Sequence, residues 1–152
     1  MRLEEAIQQP KFRSSHERAH INVLYTASFF SQQATRILRP LGISMQQFNL
    51  LRILRGMNGQ PATIKLLTER MLDKMSNASR LVEKLKQKGL VVRRACADDR
   101  RQVDIFITDA GLQLIATATE AMDQAMTDHY VNLDAEEASA LSLLLDKFRG
   151  EE

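Results

Sequence analysis

Ser76, Asn77, Arg80 and Lys84, with Ser79 beside them, fall on one polar face if residues 75–88 are helical. Those residue types suit contact with a nucleic-acid duplex. Small polar side chains allow close approach, an Asn amide bonds an adenine edge bidentately, and an Arg guanidinium does the same to guanine. Further along, Arg94, Arg100 and Arg101 border a polar, charged stretch between two β-rich runs. Cations on such a hairpin loop can straddle a phosphate backbone and enter a minor groove, where Arg is favoured when the groove is narrow. Asp99 lies beside these arginines and is placed to brace one of them by an ion pair.

The surrounding pattern supplies the elements needed to position these groups. Opposite the polar face, Ala78, Leu81, Val82 and Leu85 recur at i, i+3, i+4 and i+7, the spacing of an inward helical stripe. Asp73 is a candidate cap. Lys84, Lys86 and Lys88 load the last turn, where cations suit the helix dipole, and Gly89 stands where a left-handed stop is wanted. Ser44 with Gln47 forms a capping-box pattern that opens a helix over about 45–56, with Phe48, Leu51, Ile53 and Leu54 apolar. Gly56, Asn58 and Gly59 break it, and Pro61 and Thr63 open a short helix through about Met71. Leu90–Arg94 and Val103–Ile107 read as two strands of a hairpin, a wing over about 90–107. Short helix, turn, helix and hairpin together predict a winged helix-turn-helix over 44–108.

Long helices flank this unit. Residues 14–38 carry Ile21, Leu24, Tyr25, Phe29, Ala34, Ile37 and Leu38 at helical spacing, and Val23 and Phe30 widen the apolar surface beyond one stripe. A helix apolar on more than one side needs a second partner. Pro40 ends it. Thr108 or Asp109 caps a helix over about 109–131, with Leu112, Ile115, Ala116, Met122, Ala125 and Met126 available for packing. Asp134 and Glu137 form another capping box, opening a last helix to about Phe148 with Leu141, Leu144, Leu145 and Phe148 expected inward.

Composition bounds the function classes. The chain has 152 residues, 44% hydrophobic and 26% charged, the balance of one globular domain. Six Gly and three Pro are too few for a turn-rich all-β fold. The net charge of +2 conceals an asymmetry: residues 74–101 hold 9 Lys/Arg and 3 Asp/Glu, whereas 109–152 hold 2 Lys/Arg and 10 Asp/Glu. A basic middle and an acidic tail suggest that the middle meets a polyanion. No apolar run is long enough for a membrane span, and the N-terminus begins with acids and polar residues rather than a secretory signal, so a cytoplasmic location is expected.

Other chemistries find little support. One Cys excludes an intramolecular disulfide and a multi-Cys zinc site. Neighbouring Arg residues would lower the Cys96 thiol pKa, but without a resolving Cys it reads as a passive small residue. His16 and His20 are four apart on one helical face, a metal half-site with no third ligand nearby in sequence. No nucleophile elbow, phosphate loop or metal signature is present, so the chain is not expected to be an enzyme or to hold a cofactor or metal.

The run Ser76-Asn-Ala-Ser-Arg80-Leu-Val-Glu-Lys-Leu85-Lys-Gln-Lys-Gly89-Leu-Val-Val-Arg-Arg94 resembles the recognition helix and first wing strand of the MarR family of bacterial transcriptional regulators. Asp99-Arg100-Arg101, followed by Ile107-Thr108-Asp-Ala-Gly111, is similar to that family's wing and the opening of its next helix. The helix order before and after also fits, so the resemblance covers nearly the whole chain. It departs at Cys96, where the family often has an acidic residue, and at Asp98, where many members have Arg; the wing tip carries one positive charge fewer than usual.

The resemblance implies a mainly α fold with a small β-hairpin wing, a single domain whose helices over 14–40 and 109–149 interlock two copies. It implies a homodimer on a pseudo-palindromic DNA duplex, acting as a repressor relieved by a small aromatic or similar effector or by oxidation. DNA contacts are then expected at Ser76, Asn77, Ser79, Arg80, Lys84, Arg94, Arg100 and Arg101. A cleft lined by His20, Tyr25 and Phe29 is the expected effector site. The alternative is a winged-helix module for protein contact without DNA, which would have no need of the basic 74–101 segment.

Overall fold

The computed structural model describes residues 1–95 and 103–150. Its helices begin where short polar side chains can satisfy backbone N–H groups. Ser14, Ser44, Thr63, Asn77, Thr108 and Asp134 each accept the N–H three residues on, and each opens a helix. A short helix α1 (Leu3–Ala6) precedes α2 (Ser15–Leu38), which runs into a 3-10 turn at Arg39–Leu41 containing Pro40. Then come α3 (Met45–Gly56), α4 (Ile64–Arg70), α5 (Ala78–Gln87), the strands β1 (Val91–Ala95) and β2 (Val103–Ile107), α6 (Asp109–Tyr130) and α7 (Ala135–Arg149). The capping boxes at Ser44/Gln47 and Asp134/Glu137 are both formed.

The core is centred on α3. Leu50, Leu51 and Leu54 are buried there, joined by Leu38 of α2, Leu67 of α4, Val82 and Leu85 of α5, Ile105 of β2 and Ile115 of α6. β1 and β2 pair antiparallel, with Val91 opposite Ile107 and Ala95 opposite Val103. Ala62, just before α4, exchanges two backbone hydrogen bonds with Ile105 (3.0 and 2.9 Å), so the wing is anchored to the start of the helix-turn-helix. This is the mainly α winged helix-turn-helix expected from the pattern.

Three features differ from the sequence expectation. The helix expected over 75–88 starts at Ala78, because Asp73 caps nothing: its carboxylate accepts the Met75 N–H and the Ser76 hydroxyl in a tight turn, and Asn77 takes the cap. In α6, Ile115 and Met126 are buried, but Leu112, Ala116 and Ala125 remain exposed. Leu141, Leu144 and Phe148, expected inward, are exposed too, and α7 buries no residue within the protomer. The helix α1 was not foreseen. It tucks Leu3 against the molecule and ties back to α2 through Arg18, whose Nε lies 2.6 Å from Glu4 Oε1.

Candidate nucleic-acid interface

The helix α5 is held from behind and open in front. Ala78, Val82 and Leu85 lock it to the core, while Ser79, Arg80 and Lys84 stand exposed. Among the described residues neither Arg80 nor Lys84 has an ion-pair partner, so their charges face solvent unneutralised. Asn77 spends its carbonyl oxygen on the Arg80 N–H (3.0 Å), which leaves the amide nitrogen outside the cap. The Ser76 hydroxyl donates to Asp73 Oδ2 (3.0 Å) and is half-buried, so its donor is already used.

The wing is fastened to this helix. Arg93, to which the sequence reading assigned no role, pairs with Glu83 of α5 at 3.2 Å. Next to it Arg94 is exposed, its guanidinium 5.2 Å from the Phe106 ring centroid on the facing strand, close enough for a cation–π contact that orients it. Arg100, Arg101, Asp99 and Cys96 lie outside the described residues. Lys88 reaches back to the Gly42 carbonyl and so joins the end of α5 to the loop before α3.

One position that sequence reasoning missed, and one that it read only as a helix cap, set the placement of α5. Asn49, in the middle of α3 and only 2% exposed, accepts the Leu72 N–H at 2.9 Å, pinning the loop that enters α5. A polar residue among Phe48, Leu50 and Leu51 was the available signal; its oxygen is satisfied by Leu72, while its amide nitrogen is buried with no partner among the described residues. At the other end, Thr108 gathers the exit of α5 and the start of α6. Its hydroxyl donates to the Gly89 carbonyl (2.7 Å) and its N–H to the Leu90 carbonyl (3.1 Å).

A cavity of about 600 Å³ opens between α2, α3 and the loop into α5. Thr35, Arg39, Ile43, Asn49, Met71 and Asp73 contribute to its wall, a mixture of apolar and polar groups. His20, Tyr25 and Phe29 line neither this cavity nor the smaller groove beside Lys84; they sit elsewhere on the exposed surface of α2. There Phe29 and Phe30 meet the edge of the His129 ring at centroid distances of 5.4 and 5.6 Å, and His20 lies 6.4 Å from Phe148. Among the described residues no helix is long and apolar enough to cross a membrane, and no group of three His, Cys, Asp or Glu could hold a metal ion.

A helix presented this way beside an anchored hairpin defines a winged helix-turn-helix protein. Residues 41–102 match the family model described as "MarR family". The transcriptional repressor IacR of Pseudomonas putida is 24% identical over 117 residues, 77% of this chain and 69% of that protein. Among solved structures, the MarR transcription factor of Planctomyces limnophilus is 27% identical with a TM-score of 0.67, covering 89% of this chain and 98% of its own. BpsR of Bordetella bronchiseptica, whose DNA binding is described as regulated by 6-hydroxynicotinic acid, has a TM-score of 0.79 at 17% identity, covering 93% of this chain and 100% of its own. The winged segment matches the MarR family model, and the whole-chain architecture is similar to that of MarR-family transcription regulators.

Proposed function

We propose that this chain is a homodimeric, sequence-specific DNA-binding regulator, a repressor released from its operator by a small molecule. The observation that carries this reading is the exposed, unneutralised face of α5. Ser79, Arg80 and Lys84 stand on a helix whose other side is locked to the core, next to a basic wing. A helix of this kind enters the major groove by its N-terminal end. Arg80 then contacts a base edge, Asn77 offers its amide nitrogen, Ser76 and Ser79 permit close approach, and Lys84 contacts phosphate. Arg94, Arg100 and Arg101 belong to the wing that follows the backbone, with Asp99 bracing one of them.

Dimerisation is supported by what one protomer leaves uncovered. Leu141, Leu143, Leu144 and Phe148 of α7 and Leu24, Phe29 and Phe30 of α2 are all exposed. Apolar surface of that extent on terminal helices asks for a partner, and a second copy supplies the same faces. The dimerisation helices over 14–40 and 109–149 then hold two winged units for a pseudo-palindromic site, with the recognition helices about one DNA turn, ~34–36 Å, apart. Repression is the role of the Pseudomonas relative, and control by a small ring compound is that of the Bordetella one. In this chain the cavity beside Asn49 is the better-formed place for such an effector than the exposed ring cluster around Phe29. A location in the cytoplasm, where chromosomal DNA is available, follows from the same reading.

Footprinting purified protein on DNA upstream of its own gene tests this, combined with affinity measured across a salt series. A protected, two-fold symmetric site is expected, with binding that weakens steeply as salt rises because Lys and Arg displace counterions from phosphates. A protein that protects no duplex even at low salt would instead be a winged-helix module for protein contact.

A further inference from the structure

Met75 is 92% exposed on the loop that enters α5, and Leu72 of the same loop is 69% exposed. Neither is an accident of a slack segment, because the backbone is pinned along its length. Met71 is buried in the core, the Leu72 N–H is held by buried Asn49 at 2.9 Å, and Asp73 accepts both the Met75 N–H (3.0 Å) and the Ser76 hydroxyl (3.0 Å). The Asp73 carbonyl also takes the Ser76 N–H at 3.1 Å, and Asn77 caps the helix immediately after. Met75 is therefore presented from a fixed turn beside the first residues of α5. Lys74 of the same loop and Arg80 and Lys84 of α5 are exposed too, so this stretch of the surface is basic.

A thioether has no strong donor or acceptor to offer a phosphate or a polar base edge. Its gain comes from apolar contact, for which the flexible, polarisable Met side chain is well suited. In the major groove the apolar group carried by a base is the thymine 5-methyl. We propose that Met75 is a specificity-determining residue that packs on the 5-methyl group of a thymine, at the edge of the bases reached by the first turn of α5. The proposal rests on the DNA-binding reading above and deepens it. The cations draw in the polyanion without regard to sequence, and Met75 adds selection among sequences.

The test uses full-length protein and a duplex enriched by it from a random-sequence pool. That duplex is resynthesised with deoxyuridine replacing one thymidine at a time, symmetrically in both half-sites, so that only methyl groups are removed. At one thymine position the wild-type protein is expected to lose about fourfold in affinity per half-site, roughly 15-fold for the symmetric pair, the worth of one buried methyl each. Met75→Ala should bind the thymidine and deoxyuridine duplexes equally, with an unchanged melting temperature and dimeric sedimentation, and Met75→Leu should restore the discrimination. Three results would overturn the proposal: no thymidine position sensitive to methyl removal, a Met75→Ala protein that discriminates as the wild type does, or a Met75→Ala protein that becomes monomeric, which would place Met75 in the subunit interface. If the wild type enriches no duplex from the pool, the DNA-binding reading falls and the proposal with it. If it enriches one but tolerates every deoxyuridine, only the role of Met75 falls.

Discussion

The Thr108 hydroxyl donates a 2.7 Å hydrogen bond to the Gly89 carbonyl, bridging the stop of α5 and the cap of α6 across the base of the wing. The same oxygen accepts the Gly111 N–H at 3.1 Å. Gly111 is held in close contact with the neighbouring segment: a Cβ there would lie 2.2 Å from the Leu90 carbonyl oxygen and 2.7 Å from an Ile107 side-chain carbon. The helix α5, the wing and the long α6 are thus one mechanical unit, joined at Thr108 and Gly111.

Gly111→Ala is expected to be the more damaging change at this joint, because the obstacle is backbone and cannot rotate away. Overpacking of this kind costs about 1–3 kcal/mol. Thr108→Ala should cost about 1 kcal/mol for the lost cap, with Thr108→Ser close to wild type. Urea unfolding midpoints for the three proteins would check the order.

Asn49→Ala removes the acceptor that pins the loop into α5, for an expected loss of about 1 kcal/mol in stability. The amide of Leu72 should exchange with deuterium faster, while amides of α7 stay as they were. Unchanged exchange at Leu72 would show that the loop is held by its own turn at Asp73.

Leu144 is 64% exposed in the protomer, so Leu144→Glu has little to disturb within one chain. Placed in an interface between two copies it buries an unpaired charge, which is strongly unfavourable. The expected outcome is a folded monomer by sedimentation, with unaltered far-ultraviolet circular dichroism and lost operator binding. A Leu144→Glu protein that remained dimeric would remove α7 from the interface.

Arg80→Ala is expected to weaken operator binding by about 1–3 kcal/mol and to relax preference at one base position in each half-site. An equal loss on all duplexes would reassign Arg80 to a phosphate. Selection experiments with wild-type and variant protein would distinguish the two.

The fold-back of α1 should depend on pH. The hydrogen bond from Arg18 is the main cause that holds the Glu4 carboxyl below its ordinary value of 4.5, with its own backbone N–H contributing next. A lowered carboxyl stabilises the contact fully above the ordinary value and loses it as pH falls through the lower folded one. Proteolytic cleavage near residues 7–12 should therefore be suppressed at neutral pH and appear on acidification, and Glu4→Gln should show it at all pH values.

Much of the architecture was legible because its causes are local. A cap is a contact between residues three apart, so Ser44, Thr63, Thr108 and Asp134 could be read directly, and each opens its helix. Ala78, Val82 and Leu85 announced the inner face of α5 by spacing alone, which left Ser79, Arg80 and Lys84 outside. Asp73 shows where local reasoning stops. It has a capping residue's chemistry, but it competes with Asn77 four positions on, and only the path of the loop from α4 settles which one caps.

The amino-acid sequence by itself determined the order and type of elements from α2 onward, the polar face of α5 and the basic wing, since periodicity, capping and charge are properties of neighbours along the chain. Tertiary structure decided which apolar faces are covered: Ile115 is buried while Leu144 is not, though both sit on amphipathic helices, because only packing partners distant in sequence distinguish them. It also decided that Asn49 holds the entry to α5, that Thr108 and Gly111 join it to α6, and that Met75 stands clear of the core. Each of those depends on two segments meeting in space, and no window of consecutive residues contains both.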